Sequence, residues 1–298
     1  MNSKFRGTGV AIVTPFNSDK TIDYSGLEKL VNHLIEGGVD YLVVQGTTGE
    51  SATLSKEEKV KVLDFVHEKT DGRVPLVFGI GGNNTMAVAD DMGYYDSSKF
   101  EAILSVVPYY NKPTQEGIYR HYKYLAGVAP KPIILYNVPG RSVVNMTAET
   151  TLRLANEFDN LIAVKEASGD LTQIKEIIDN RPDNFLVISG DDPITIPIIH
   201  LGGDGVISVV ANALPKSFSN MVNQALEGNC TAVQVAQNSF EDITDLMFLE
   251  GNPAGVKAAL HILGVHGVDV RLPLVKMSDA GYAKMRTELE KMGELANV

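Results

Sequence analysis

A single lysine stands directly after an apolar run that is typical of a buried strand. The stretch LIAVKEASGD places Lys165 at the end of this run. A lysine in such a place often extends its ammonium group into water, because lysine is rarely buried without a partner. If apolar neighbours enclose it instead, lost hydration disfavours the charged form. The neutral amine can then attack a carbonyl carbon and form a Schiff base, which makes Lys165 a candidate nucleophile.

Besides Lys165, the ends of the predicted strands carry several side chains with hydroxyl groups. The residues at these ends are Gly46, Thr47, Thr48, Pro108, Tyr109, Tyr110, Tyr136, Asn137, Arg141, Glu166, Gly190 and Asp191. Tyrosine and threonine hydroxyls can move protons to and from an imine without a histidine. Each of them could also be structural, by packing at a rim or capping a helix. Their shared position beside Lys165 favours amine chemistry.

Metal and nucleotide chemistry are weakly indicated. All six histidines fall in predicted helices or in the C-terminal region, so we expect no metal site. Glu166, Asp191 and Asp192 could bind a hard cation, or they could simply pair locally. The motif GIGGNN at Gly79 lacks the third glycine of a dinucleotide site and predicts a tight turn. The glycines near Gly202 leave open a phosphate site in a late barrel loop.

Eight apolar runs alternate with helical patterns, which predicts a (β/α)8 barrel. The runs begin at Gly9, Tyr41, Pro75, Ala102, Pro132, Leu161, Phe185 and Gly205. They are nearly continuous, as parallel strands covered on both faces are. Helix-capping patterns begin at Ser55, Thr114 and Thr147. Strand signals stop near residue 227, so we predict a barrel over 1–226 and a helical C-terminal domain over 227–298.

Composition excludes several classes of protein. The 298 residues carry a net charge of -11, which argues against nucleic acid as a partner. No apolar run is long enough for a membrane helix, and the N-terminal residues do not resemble a signal peptide. Because Cys230 is the one cysteine, an internal disulfide bond is excluded. Its neighbours in LEGNCTAV do not suggest a nucleophile, so we interpret it as a structural residue. We therefore expect a cytoplasmic protein.

Several motifs together resemble one family. They are GTTGES at Gly46, VPYYNKPTQEG at Val107, LYNVPGR at Leu135, VKEASGD at Val164, SGDD at Ser189, GVISV at Gly205 and GNPAGVK at Gly251. With them the chain is similar, nearly end to end, to the dihydrodipicolinate synthase family of pyruvate-dependent class I aldolases. The resemblance implies a lyase of L-lysine biosynthesis through diaminopimelate, which condenses pyruvate with L-aspartate 4-semialdehyde. It also implies no cofactor beyond covalently bound pyruvate, and a homodimer or homotetramer.

The resemblance also implies a role for individual residues. Lys165 would condense with pyruvate, and Arg141 would bind the carboxylate of the semialdehyde. A proton relay would consist of Thr47, Tyr136 and Tyr110, with Tyr110 reaching into the site of a neighbouring subunit. Thr48 would contact the pyruvate carboxylate. Gly190 and Ile207 would line the pocket. One departure is GRSVV, from Gly140 to Val144, where the family commonly has SRTG.

Two other functions remain open from the sequence. One is a sister pyruvate aldolase, such as an N-acetylneuraminate lyase or a keto-deoxy sugar acid aldolase. The other is a catalytically silent barrel that senses keto acids. Family members are often inhibited by L-lysine, and the resemblance maps that cleft to Ser51, Ala52, Lys56, Lys59, Gly81, Asn83, Ala87 and Tyr109. Because Ala87 replaces an expected glutamate, we predict weak or absent inhibition.

Overall fold

Eight parallel strands close into a barrel in the computed structural model, which describes residues 2–295. Each strand pairs with the next along the chain, and the last pairs with the first, as the (β/α)8 prediction requires. The strands are β1 Gly7–Ala11, β2 Tyr41–Val44, β3 Leu76–Gly79, β4 Ala102–Val106, β5 Ile133–Asn137, β6 Leu161–Glu166, β7 Leu186–Ser189 and β8 Gly205–Ser208. The predicted fold class is confirmed.

Thirteen α-helices accompany the strands within the described residues. They are α1 Tyr24–Glu36, α2 Lys56–Thr70, α3 Thr85–Tyr94, α4 Gln115–Val128, α5 Pro139–Ser142, α6 Ala148–Glu157, α7 Leu171–Asn180, α8 Thr195–His200, α9 Pro215–Leu226, α10 Cys230–Ser239, α11 Glu241–Leu249, α12 Ala254–Ile262 and α13 Asp279–Lys291. The predicted caps at Ser55, Thr114 and Thr147 each accept a hydrogen bond from a backbone N–H in the first turn. Ser55 and Glu58 form the full capping box.

Most predicted apolar runs extend past the observed ends of the strands. The run from Tyr41, for example, continues to Gly46, whereas β2 ends at Val44. The extra residues leave the sheet at the carboxyl rim and form the loops that carry the candidate site. The loop around Gly202 precedes β8 and therefore lies at the opposite rim. The phosphate site that the sequence left open for this loop would thus lie away from the carboxyl rim, and it stays a prediction.

The barrel interior is filled with side chains rather than open. A cluster of apolar residues packs inside it, and the aromatic ring of Phe5 closes the amino end against Tyr41. Their ring centroids are 5.5 Å apart in an edge-to-face arrangement. Side chains on the inner face therefore meet solvent or substrate only at the carboxyl rim, where catalytic groups of such barrels stand.

The strands end before α9, and helices make up the regular structure of the chain beyond it in the described part. The predicted division between residues 226 and 227 falls at the carboxyl end of α9, and the two-domain organisation stays a prediction. Cys230 begins α10, but its side chain lies outside the described residues. Within 2–295, no helix is both long and apolar enough to cross a bilayer.

Candidate active site

The Lys165 amine is enclosed at the carboxyl rim of the barrel. Its residue lies in β6, pairs with Tyr136 of β5 and Ile188 of β7, and is 5% exposed. The Nζ atom lies 4.4 Å from the centroid of the Tyr136 ring. The side chain thus does not extend into water, and the interpretation as a solvated strand-end lysine does not fit. An aromatic face therefore covers one side of the amine.

Gly190 leaves the space through which the Lys165 side chain passes. Its N–H donates to the Glu166 carbonyl at 2.7 Å, directly beyond the end of β7. A Cβ atom at this position would lie 2.9 Å from Lys165 Cε and 2.8 Å from Ala167 Cβ. Ile207 of β8 is buried on the inner face. Both predicted lining residues are therefore part of the barrel interior at the rim, and Gly190 touches the lysine itself.

A tight turn after β2 carries the two threonines. Residues Thr47–Gly49 form a short 3-10 helix, in which Thr47 is exposed and Thr48 is buried. The Thr48 hydroxyl accepts a hydrogen bond of 2.9 Å from the Asn252 amide. Because Asn252 lies just before α12, the C-terminal helices hold this turn in place across 204 residues of chain.

A buried ion pair between Glu50 and Lys257 holds the same turn in place. Glu50 adopts a left-handed conformation with φ of 53°, and its carboxylate accepts from Lys257 Nζ at 2.6 Å and from the Arg271 N–H at 3.0 Å. Burial lowers the pKa of Lys257 to about 8, and the Glu50 charge opposes this change. A buried pair of this kind is strongly destabilising to break, which makes the turn rigid. Glu50 belongs to the motif GTTGES and Lys257 to the motif GNPAGVK, but the sequence did not predict the contact between them.

Glu166 lies behind the lysine, on the outer side of β6. It is fully buried, and its carboxylate accepts hydrogen bonds from Asn137, from Ser168 at 3.0 Å and from Gln173 at 3.2 Å. Burial raises the pKa of Glu166 to about 7, and the three hydrogen bonds act in the opposite direction. The Asn137 amide also holds the chain near Met146. This network ties β5, β6 and the segment after α5 together.

Asp191 and Asp192 lie just beyond β7, near Lys165. Asp192 is buried, and its Oδ2 accepts from the N–H groups of Val209 at 2.9 Å and Val210 at 3.1 Å. Burial raises the pKa of both aspartates, and the Lys165 charge opposes this change. The contacts of Asp192 and Glu166 thus support the interpretation that these carboxylates pair locally. Within the described residues, no three His, Cys, Asp or Glu side chains form a metal-type cluster.

Arg141 stands on α5 at the mouth of the barrel and is exposed. The following Ser142 is buried, and its hydroxyl donates to the carbonyls of Val138 and Val144, which fixes the turn. Val143 then takes a left-handed conformation with φ of 60° and is 66% exposed. In the family pattern a glycine stands here, and glycine is the residue that this conformation suits. The departure noted in the sequence therefore places strain beside Arg141.

Two tyrosines extend from the loop after β4. Tyr109 is partly exposed, and Tyr110 is 86% exposed with φ of 74°. The Asn83 amide donates to the Tyr109 carbonyl at 3.2 Å, which joins this loop to the one after β3. A large aromatic side chain that is so exposed beside a site is typical of a surface that a protein–protein contact covers.

Two neighbouring cavities bring some of the predicted residues together, whereas Lys165, Thr48, Tyr110, Gly190 and Ile207 line neither of them. One, of about 90 Å³, is lined by Thr47 and Tyr136, and the other, of about 450 Å³, by Thr47, Tyr109 and Arg141. Lys165 joins the group through its contact with the Tyr136 ring. Within residues 2–295, no hydrogen bond joins the hydroxyls of Thr47, Tyr136 and Tyr110 directly to one another. The relay itself therefore stays a prediction.

The arrangement suits imine chemistry on a small keto acid. It combines an enclosed amine, hydroxyls beside it and one exposed guanidinium at the entrance. Local pairing was one of the two interpretations that the sequence left open for Glu166, whereas Gln45, which lines the smaller cavity, was missed. The position of Gln45 directly before GTTGES was the available signal.

Comparisons with known proteins agree with this chemistry. A model of the dihydrodipicolinate synthetase family matches residues 4–292. The 4-hydroxy-tetrahydrodipicolinate synthase of Parabacteroides distasonis is 51% identical over 287 residues, covering 96% of this chain and 97% of its own.

Solved structures match the fold over the same length. Dihydrodipicolinate synthase from Thermotoga maritima superposes with a TM-score of 0.95 at 38% identity, covering 97% of this chain and 99% of that one. The chloride-inhibited synthase from Acinetobacter baumannii, solved in complex with pyruvate, gives 0.93 at 39% identity, with 97% and 99% covered. Together with the match of the family model, these likenesses show that the chain belongs to the dihydrodipicolinate synthetase family.

Proposed function

We propose that this protein is a 4-hydroxy-tetrahydrodipicolinate synthase, a lyase that condenses pyruvate with L-aspartate 4-semialdehyde in L-lysine biosynthesis through diaminopimelate. The observation that carries the proposal is the enclosed Lys165 amine, which is 5% exposed and lies against Tyr136 at the carboxyl rim. Membership of the family supports the same reaction rather than that of a sister aldolase.

The proposed reaction begins at the Lys165 amine. It attacks C2 of pyruvate, and loss of one water gives an imine. The imine withdraws electrons, so a hydroxyl of the site can take a proton from C3 to give an enamine. C3 then bonds to the aldehyde carbon, and the aldehyde oxygen takes up a proton to become a hydroxyl group. The amine of the bound product attacks C2, closes the ring and releases Lys165. Bound pyruvate thus supplies the electron sink, and we propose no further cofactor.

The surroundings of the amine suit these steps. Tyr136 and Thr47 line one cavity and would carry the protons. Thr48 would contact the pyruvate carboxylate, while Arg141 at the mouth would hold the carboxylate of the aldehyde. We propose a cytoplasmic location, which fits the biosynthetic role of the named relatives.

Consumption of pyruvate in the presence of different aldehydes tests the proposed function. L-Aspartate 4-semialdehyde should support rapid consumption, since Arg141 offers one carboxylate site. N-Acetylmannosamine and D-glyceraldehyde, the aldehydes of sister enzymes, should not. Faster consumption with either sugar would assign the chain to a sister aldolase, and none with any aldehyde would assign it to a sensor.

Replacing Tyr136 by phenylalanine should mainly slow turnover. Loss of one general acid–base group typically lowers kcat by about 10² to 10⁴-fold, while the pyruvate KM should change little. Tyr119→Phe is the matched control, because the Tyr119 hydroxyl bonds Glu157 on the outer helices. Near-normal turnover in Tyr136→Phe would remove this tyrosine from the proton path.

Arg141→Lys should impair use of the aldehyde and spare pyruvate. A lysine cannot reproduce the paired hydrogen bonds of a guanidinium to a carboxylate, so kcat/KM for the semialdehyde should fall by about tenfold or more. Arg120→Lys on the exposed face of α4 serves as the control. A rise in the pyruvate KM alone would mean that the two carboxylates are assigned the wrong way round.

A subunit contact at Tyr110 can be tested by complementation. The exposed Tyr110 side chain supports the proposal that it enters the site of a neighbouring copy in a homodimer or homotetramer. Tyr110→Phe and Lys165→Ala are each expected to be nearly inactive, but mixing and refolding them should restore part of the activity. A mixture no more active than its components would contradict a shared site.

Feedback inhibition by L-lysine should be weak or absent. Ala87 offers no anionic partner for the ammonium of the ligand, and Asp91, one turn further along α3, is already paired with Lys56 at 2.5 Å. Lys59 adds a second positive charge to the same cleft. A titration of activity with L-lysine measures this, and clear inhibition below 1 mM, a concentration corresponding to about -4 kcal/mol of binding, would contradict it.

A further inference from the structure

The hydroxyl group of Thr48 uses only part of its hydrogen-bonding capacity. It accepts a hydrogen bond of 2.9 Å from the side-chain amide of Asn252, and its own O–H has no acceptor among residues 2–295. A threonine hydroxyl can donate once and accept twice. The contact with Asn252 therefore occupies an acceptor position of Thr48 and leaves the O–H able to donate to another molecule.

The surroundings of Asn252 decide the direction of this hydrogen bond. Asn252 is 7% exposed, and its amide oxygen is buried with no hydrogen-bond partner in the described chain. If the amide were turned over, two N–H groups would stand at that position without an acceptor. Unpaired carbonyl oxygens are less rare in proteins than unpaired N–H groups. The amide of Asn252 therefore donates to Thr48 rather than accepting from it.

The contact lies where the two cavities of the rim meet. Asn252 lines the cavity of about 450 Å³ together with Arg141. Thr47, the neighbour of Thr48 in the turn, lines both this cavity and the one of about 90 Å³ that Tyr136 also lines. The hydroxyl that Asn252 contacts is thus next to the groups that would bind and convert the substrates.

The backbone of this turn has support that does not involve Asn252. The carboxylate of Glu50 accepts hydrogen bonds from Lys257 Nζ at 2.6 Å and from the Arg271 N–H at 3.0 Å. These contacts remain when the amide of Asn252 is removed. The contact with Asn252 therefore adds little to the stability of the turn, and its distinct effect is on the direction of the Thr48 O–H.

We propose that Asn252 is a positioning residue that directs the O–H of Thr48 at the carboxylate of pyruvate. The inference rests on the proposed function, in which Thr48 contacts that carboxylate. A carboxylate only accepts hydrogen bonds, so the hydroxyl must donate to it, and the bond from Asn252 selects this polarity. No proton is transferred in this contact. The segment before α12 thus sets the affinity of the site for pyruvate.

Asn252→Leu tests the proposal, because leucine has nearly the same size and cannot donate a hydrogen bond. The pyruvate KM should rise by about fivefold to twentyfold, whereas kcat and the KM for L-aspartate 4-semialdehyde should each change by less than about threefold. The pyruvate concentration that half-saturates borohydride trapping on Lys165 should rise by the same factor as the KM. Trapping needs no aldehyde, so it reports the binding of pyruvate alone.

Asn252→Asp is a second test, which keeps the shape of the side chain and reverses the bond. A carboxylate at this position would accept from the Thr48 hydroxyl and turn its lone pairs toward pyruvate. The pyruvate KM should therefore rise at least as much as in Asn252→Leu. A wild-type pyruvate KM in either variant, or a rise in the semialdehyde KM alone, would overturn the proposal.

A double-mutant cycle with Thr48→Val distinguishes this role from general support of the rim. Thr48→Val should by itself raise the pyruvate KM at least as much as Asn252→Leu. Adding Asn252→Leu to it should raise the KM by less than about twofold further, because no hydroxyl remains to be directed. If the effects of the two changes simply multiplied, Asn252 would act elsewhere and the proposal would be wrong.

Asn160→Leu is the matched control. The Asn160 amide donates to the Ala126 carbonyl at 2.8 Å, and Asn160 lies directly before β6, at the opposite rim. This variant should leave the pyruvate KM unaltered, whatever its melting temperature. If instead the proposed function were wrong, the wild-type protein itself would fail to condense pyruvate with the semialdehyde, so the two failures are distinguishable.

Discussion

The enclosure of one amine inside the barrel rim is the constraint on which the rest of the site depends. Lys165 can be 5% exposed only because its surroundings compensate for lost water. The Tyr136 ring covers one side of Nζ at 4.4 Å, and the half-buried Asp191 and buried Asp192 lie close enough for their charges to interact with it. Gly190 supplies the space that a side chain would have filled. Within residues 2–295 the reactive group is thus held without a direct ion pair that would block it.

Rigidity of the rim comes from polar groups that never touch the reacting atoms. Glu166 joins β5, β6 and the segment after α5 through its hydrogen bonds, so Tyr136 and Lys165 keep their register. The Glu50–Lys257 pair does the same for the turn with Thr47 and Thr48. In each case a carboxylate is buried together with its hydrogen-bond partners. Breaking these contacts is strongly destabilising, so they fix the geometry of the rim to fractions of an ångström.

Local patterns were sufficient to predict the barrel and several helix caps. Eight apolar runs gave eight strands, and the caps at Ser55, Thr114 and Thr147 are where the residue types indicated. Contacts between distant parts of the chain could not be predicted in this way. The bond from Asn252 to Thr48 spans 204 residues, and no periodicity signals it. The backbone of Gln45 was equally hidden, because a positive φ at a non-glycine residue is a property of the assembled rim.

Lys165, rather than any other amine, should form the covalent intermediate. Lys257 is also buried, and burial lowers its pKa to about 8, but it is committed to Glu50 and lies beneath the turn. Reduction with borohydride in the presence of pyruvate, followed by peptide mass analysis, distinguishes the two. We expect one reduced pyruvate adduct, on the peptide that contains Lys165. An adduct on Lys257 or on another lysine, or no adduct at all, would contradict it.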